Sequence, residues 1–264
     1  MRLKFKLISV LALVLFVVPS AFTQNDSAPF SKMGMGIKVS TMGYGLEVAT
    51  PLSNLFALRL GVNLTEGIRT KEYDITIPDN ENNGLRNSFG YVPKLGARLG
   101  AHLTHGNLLL DFYPVGSFHL TVGAFVGNSK LKISGRLFDW RNESRSDAVL
   151  LPGENWPDFD IAGQSIDLEG GKTDLSLYLG NTVKPYLGIG IGRVVPKNSR
   201  VSFKFELGVL YHGAGYTLKH NGTVIDLANS GLPEAVSIHN TIQDLTQYIR
   251  FWPMLNLQLS YRIF

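Results

Sequence analysis

The chain contains no cysteine. That absence excludes a disulfide scaffold, cysteine-ligated zinc, iron–sulfur clusters, a thiol nucleophile and a lipidated N-terminal cysteine. Beyond residue 23 no stretch approaches 18 consecutive apolar residues, so no spanning helix is expected there. A surplus of positive charge is missing too, although the sequence pI of about 9.2 suggests one. Arg2, Lys4 and Lys6 fall in the first 23 residues, which hold no acid, and the other basic residues nearly match the 21 acidic ones. With no basic excess left, nucleic acid is not an expected partner. There is no internal repeat and no low-complexity tract. What is present is 264 residues, 44% hydrophobic with 28 glycines, enough for one large domain or two small ones.

Residues 1–23 read as a cleaved export signal. A basic start precedes an aliphatic run over 7–18, and the small Ala21 and Thr23 place the cut before Gln24. Those 12 residues are too few to cross ~30 Å of hydrocarbon as a helix, which takes roughly 20. The expected organisation is a signal at 1–23, an N-terminal segment at 24–34 and a β domain at 35–264. The mature chain then leaves the cytoplasm, either soluble or inserted as something other than helices.

Downstream, hydrophobicity alternates with a period of two, the mark of strands with one apolar and one polar face. Leu255, Leu257, Leu259, Tyr261 and Ile263 oppose Asn256, Gln258, Ser260 and Arg262. Val201, Phe203, Phe205, Leu207 and Val209 alternate with Ser202, Lys204, Glu206 and Gly208. Leu187, Ile189 and Ile191 are separated by single glycines. The minority face is rich in glycine and carries Glu47, Arg59, Arg98, Asp111, Lys204, Glu206 and Arg262. Charges of both signs in similar number suit a narrow lumen where they pair, with the large apolar face toward lipid. A soluble sandwich would show more Lys and Glu and less mid-strand glycine. Long polar loops at about 70–93, 136–170 and 220–248 alternate with short connections at 51–54, 115–117 and 196–199, as in transmembrane barrels. The expected fold class is all-β, a transmembrane antiparallel up-and-down β-barrel.

Seven strands are predicted near 44–50, 55–69, 94–113, 118–135, 173–195, 200–219 and 251–264. A segment at 35–40 supplies an eighth if the phase flip between Val39 and Met42 is a tight turn at 40–43. If it is a bulge, one long strand begins the sheet. One segment breaks the period of two. Over 233–250, Ala235, Ile238, Ile242, Leu245 and Ile249 recur at three- and four-residue spacing behind Pro233 and Gly231. This predicts an amphipathic helix in the last external loop, with Ile238, Ile242, Leu245 and Ile249 packed on the barrel rim as a lid.

Three patches carry a resemblance: the run from Leu108 to Pro114 (LLLDFYP), the run from Lys184 to Gly190 (KPYLGIG) and the terminal LQLSYRIF from Leu257. With the segmentation over 33–264, the chain resembles the small outer-membrane β-barrel proteins of Gram-negative bacteria, the group of OmpA-like and OmpW-like barrels. It looks similar in particular to an uncharacterised exported barrel family whose final strand follows a helical stretch. The resemblance implies a monomer in the cell outer membrane, surrounded by outer-membrane lipid and lipopolysaccharide, and no cofactor. It also implies that Tyr261 and Phe264 form part of the signal read by the barrel assembly machinery. Phe264 falls one step out of phase with Tyr261 and Ile263.

Chemistry has little to stand on. Lipid-modifying enzymes of this membrane need a nucleophile, a base and an orienting group near one rim. His105, His212 and His220 could reach that rim with neighbours such as Thr104 or Tyr211, but no Gly-x-Ser-x-Gly elbow occurs. His239 lies on the predicted helix, where it is expected to meet solvent. Asp79, Glu81, Asp158 and Asp160 lie in polar loops without a calcium-loop pattern, so no metal site is expected. The expected function is a non-enzymatic envelope protein or narrow conduit. A lipid-modifying enzyme and a surface-adhesion barrel are the alternatives.

Overall fold

The computed structural model describes residues 29–77, 84–157, 159–161, 164–166, 168 and 170–264. The expected export signal, Asp79, Glu81 and Asp158 lie outside these residues. The first two strands, β1 (Gly34–Ser40) and β2 (Gly43–Pro51), are joined at 40–43 by a tight turn rather than a bulge. Gly43 adopts φ +99°, and a Cβ there would sit 2.1 Å from the Leu64 carbonyl oxygen, so the turn requires glycine. Next come β3 (Phe56–Arg69), β4 (Tyr73–Thr76), the short helix α1 (Leu85–Phe89), and the long pair β5 (Lys94–Val115) and β6 (Phe118–Phe138). A small hairpin, β7 (Phe159–Ile161) and β8 (Gln164–Ile166), stands apart from the main sheet. The chain continues through β9 (Lys172–Leu179), β10 (Val183–Ile191), β11 (Val201–Tyr211), β12 (Tyr216–His220), β13 (Thr223–Ile225), α2 (Pro233–Tyr248) and β14 (Phe251–Arg262).

Eight of these strands close on one another. β1 pairs with β2, β2 with β3, β3 with β5, β5 with β6, β6 with β10, β10 with β11, β11 with β14, and β14 returns to β1, every pair antiparallel. Both ends of the described chain and the short connections after β2, β5 and β10 lie at one end of this ring, called the lower end below. Above it the sheet continues on one side only, as β4, the upper halves of β5 and β6, then β9, β12 and β13.

The stretches 173–195 and 200–219, each expected as one strand, are both broken. β9 and β10 run along β6 in nearly continuous register but are separated at 180–182, and β11 and β12 are separated at 212–215. The breaks meet each other. Gly180 has φ +66°, and a Cβ on it would fall 2.1 Å from His212 Nδ1. Alternation survives such a kink, so the sequence pattern does not report it.

Polarity reverses along the long strands. Within the ring, β6 turns His119, Thr121 and Ser129 inward, all buried, and Phe118, Leu120, Val122 and Val126 outward, all exposed. Higher on the same strand Leu137 is a buried core residue, and Lys130, Lys132 and Arg136 take the outer face. β5 repeats this, with Asn107 and Asp111 inward below and Leu95 packed into an apolar cluster above. The ring is apolar outside and holds its charged groups inside; the extension carries its charges outside and apolar side chains inside.

Helix α2 forms as expected, with Pro233 in its first turn, but its packed stripe differs. Ala235 and Thr246 are buried and Ile242 is partly buried, against Leu218, Ile225 and Leu227 of the β12–β13 region. Thr246 Oγ1 donates to the Ala214 carbonyl at 2.7 Å. Ile238 and Leu245, expected on the rim, are exposed. The helix faces the inner surface of a tall sheet extension, whose position selects the stripe through Ala235 and Thr246. His239, expected in solvent, lies 2.6 Å from the Tyr216 hydroxyl through Nδ1.

Candidate functional site

The lower half of the ring encloses an ion network. Arg59, projecting inward from β3, donates from Nη1 to Glu47 Oε1 (3.1 Å), from Nη2 to Glu206 Oε2 (2.7 Å) and from Nε to Asp111 Oδ1 (3.0 Å). Lys204 Nζ lies 3.1 Å from Asp111 Oδ2 and 2.9 Å from Glu206 Oε2, and Lys38 Nζ lies 3.0 Å from Glu47 Oε2. Three carboxylates therefore face three cations, and no side chain among the six is more than 4% exposed. The remaining oxygen valences are met by hydroxyl donors and an imidazole. Tyr113 donates to Asp111 (2.9 Å), Thr121 to Asp111 (2.7 Å), and Tyr186 to Glu206 (2.7 Å), while His119 Nε2 stands 3.1 Å from Glu206.

The alternation of each strand puts these groups on one surface, and glycines make room for them. Gly61 faces Glu47 across the β2–β3 ladder, and Gly190 faces Glu206 across β10–β11. Tyr186 lies over Gly208, where a Cβ would be 2.3 Å from its hydroxyl. Asp111, His119 and Glu206 have ligand atoms within 4.8 Å of one another, but Arg59 and Lys204 already occupy those carboxylates. A divalent cation would have to displace two resident cations, so the donor set does not fit a metal.

Of the charged residues singled out from the sequence, Glu47, Arg59, Asp111, Lys204 and Glu206 are brought together here. Arg98 and Arg262 are not. Arg98 sits on the outer face of β5 above the ring, 54% exposed, and pairs with Glu72 at 2.7 Å; β5 is so long that its upper half no longer lines the lumen. Arg262 ends β14 and donates to the carbonyls of Pro196 (3.0 Å) and Lys197 (2.8 Å) at the lower rim. Lys38 and His119 were missed, although each alternates with exposed apolar residues in β1 and β6. Tyr113 and Tyr186 were missed because aromatic rings read as members of an apolar face.

An apolar layer of Met42, Leu109, Phe125, Tyr186, Leu210 and Met254 packs inside the ring above the ions. Higher still is a second polar cluster. Ser129 Oγ lies 2.8 Å from His212 Nε2 and 3.3 Å from His105 Nε2, and Lys184 donates to the Gly127 carbonyl at 3.0 Å. His220 Nε2 is 3.2 Å from Thr173 Oγ1. The histidine neighbours are thus Ser129 and Thr173, not Thr104 or Tyr211, which face outward. Nδ1 of His105 and of His212 has no hydrogen-bond partner among the described residues. No carboxylate of the described residues orients either ring, and Ser129, His105 and His212 are all buried.

Above the ring, Glu72 accepts from Arg136 (2.9 Å) and Arg145 (3.1 Å) besides Arg98. The hydrogen bond from Arg136, with the charges of Arg98 and Arg145, holds its carboxyl below the ordinary value against the opposing effect of burial. Tyr261 and Phe264 are both exposed at the lower end. Phe264 follows the end of β14 and reaches an apolar groove shared with Phe30, Met33 and Leu60 despite its phase.

The site defines a class: a closed antiparallel ring whose charges are sealed within and whose hydrocarbon is outside. No family model and no curated protein matches the chain. Solved structures to which the chain is similar include two from one organism and one from another. CarO2 of Acinetobacter baumannii shares 15% identity over 89% of this chain and 100% of that one, with a TM-score of 0.47. CarO of the same organism shares 17% over 90% and 99%, at 0.44. A major outer membrane protein from Thermus thermophilus shares 15% over 88% and 99%, at 0.37. At these values the likeness assigns this chain neither a family nor a role.

Proposed function

We propose that this chain is a non-enzymatic barrel of the bacterial outer membrane, whose eight-stranded ring spans the lipid and whose lumen is closed to bulk solutes. The observation that carries this reading is the polarity reversal along β5 and β6. A wall of exposed Ile, Leu, Val and Phe around a charged interior is stable in hydrocarbon and costly in water. Higher on the same strands the apolar side turns inward, as water requires. Length agrees: the 22 residues of β5 extend roughly 70 Å at ~3.3 Å each, well beyond ~30 Å of hydrocarbon even when tilted. Phe118, Phe203 and Tyr261 below and Tyr44 and Phe251 above are exposed near the ends of the ring, where aromatic girdles belong.

Closure follows from the filling. The ion network and the layer around Phe125 and Leu210 stack across the bore, as expected of eight strands. The role is then in the envelope itself, through the barrel wall and its tall external sheet. In planar bilayers the purified chain is expected to give no large, stable conductance; a sustained open channel would overturn the closed reading. Among the described residues, Ser129 between two imidazoles is the feature that favours an enzyme. Loss of a lipid-hydrolysing activity in Ser129→Ala, with the wild type active, would replace the non-enzymatic reading.

A further inference from the structure

We infer that the outer face of the extension, directly above the lipid-facing wall, is a binding strip for the phosphate groups of membrane lipid headgroups. This rests on the membrane-spanning reading above and adds a site to it. The strip is set by register. Arg69 of β3 stands opposite Gly100 of β5, which is opposite Lys132 of β6, then Ser176 of β9, then Lys219 of β12. Cations alternate with residues of little or no side chain across five strands, about 19 Å at ~4.8 Å per strand. The neighbouring row, His102 and Lys130, adds a second layer.

Three observations point to an anionic occupant. First, Arg69, Lys130 and Lys219 have no acidic partner among the described residues, and Lys132 shares Asp174 at 2.9 Å in an exposed pair. Like charges gathered on one face repel unless an anion enters. Second, small residues leave space between them: the nearest atoms to a Cβ placed on Gly100 are His102 Nε2 at 3.6 Å and Arg69 Cγ at 3.7 Å. Third, the height is right. Val126 is the highest exposed aliphatic residue on the outer face of β6, and Lys130 follows four residues later. Lys132, in the row itself, follows six residues after Val126, so the two lysines stand ~13 and ~20 Å along a strand tilted by about 45°. Both are above the hydrocarbon, from where long flexible side chains can bend down toward headgroup phosphates. Lys219 lies over the Tyr178 ring, 5.3 Å from its centroid, which anchors a cation at that level.

The test uses the full chain folded in zwitterionic micelles and titrated with a phosphorylated glycolipid of the lipid A type, read as the shift in thermal unfolding. The triple variant Arg69→Gln, Lys130→Gln, Lys219→Gln is expected to bind at least tenfold more weakly, since each cation at a lipid surface contributes roughly fivefold. A control pair at the lower end, Lys197→Gln with Arg200→Gln, keeps wild-type affinity. Inorganic phosphate over the same range gives no shift. Equal affinity in the triple variant and wild type, or equal response to inorganic phosphate, overturns the inference. Insertion of both proteins into phosphatidylcholine vesicles is scored separately: a wild type that fails to insert refutes the membrane reading, whereas insertion with unchanged lipid affinity refutes only the strip.

Discussion

Glu206→Gln removes one charge from a sealed set of three acids and three cations while keeping the side chain's shape. In the wild type its two oxygens serve Arg59 at 2.7 Å, Lys204 at 2.9 Å and Tyr186 at 2.7 Å. The variant leaves a net positive charge inside a wall whose outer face is apolar, with an amide N–H directed at donors. Breaking a buried pair in this way costs about 3–5 kcal/mol. With a denaturant slope of about 3 kcal/mol/M, the urea midpoint of the chain folded in vesicles falls by roughly 1–2 M. The second arm is Lys204→Met on the same background, which restores neutrality and should recover a substantial part of the loss, as a coupled pair does. Gel-shift unfolding curves of the four proteins measure the cycle. A drop below about 0.5 M in Glu206→Gln, or a double variant weaker by the sum of the singles, would refute the idea of a balanced, dry network.

Arg98→Ala and Arg262→Gln should each cost under about 1 kcal/mol in the same assay, because both side chains lie outside the sealed set. Gly180→Ala should cost at least about 2 kcal/mol, since it combines a left-handed backbone with a Cβ driven into His212; unchanged unfolding would show that the kink relaxes freely. Glu72 supplies a pH test. Its carboxyl is depressed from an ordinary 4.5 by Arg136, Arg98 and Arg145, so its stabilisation is complete above the unfolded value and is lost as the pH falls through the lower folded one. The protection factors of the β4 amides, with the intrinsic pH dependence of exchange divided out, should therefore fall as the pH drops below the ordinary carboxylate range in the wild type. In Glu72→Gln they should be low and independent of pH across that range.

Much of the ring was legible because alternation is local. Ile37 and Val39 against Tyr44, Leu46 and Val48 already required a turn or bulge at 40–43, and the pairing of Ser40 with Gly43 decides for the turn. Glu47, Arg59, Lys204 and Glu206 were readable as one set because each shares the minority face with glycine, and Asp111 because it is the one charge in the run from Leu108 to Pro114. Arg98 misled for a physical reason: the pattern records which face a residue takes, not how high it stands, and the lumen ends partway up β5. The same blindness to height hid the polarity reversal and the strip of cations on the outer face. Ile238 and Leu245 misled because helical spacing names two neighbouring stripes, and only the surface formed by Leu218 and Ile225 selects between them. Ser129 between His105 and His212 joins β6, β5 and the break after β11, a proximity that no local pattern contains.

Because the chain lacks cysteine, single cysteines along β6 can be read without a background. Val122→Cys, Val126→Cys, Lys130→Cys and Lys132→Cys, each carrying a fluorophore in vesicles, sample one outer face from the ring into the extension. The membrane reading predicts that a lipid-phase quencher acts at 122 and 126 and a water-soluble quencher at 130 and 132, with the change between 126 and 130. Water-soluble quenching at 122 and 126 as strong as at 132 would contradict it.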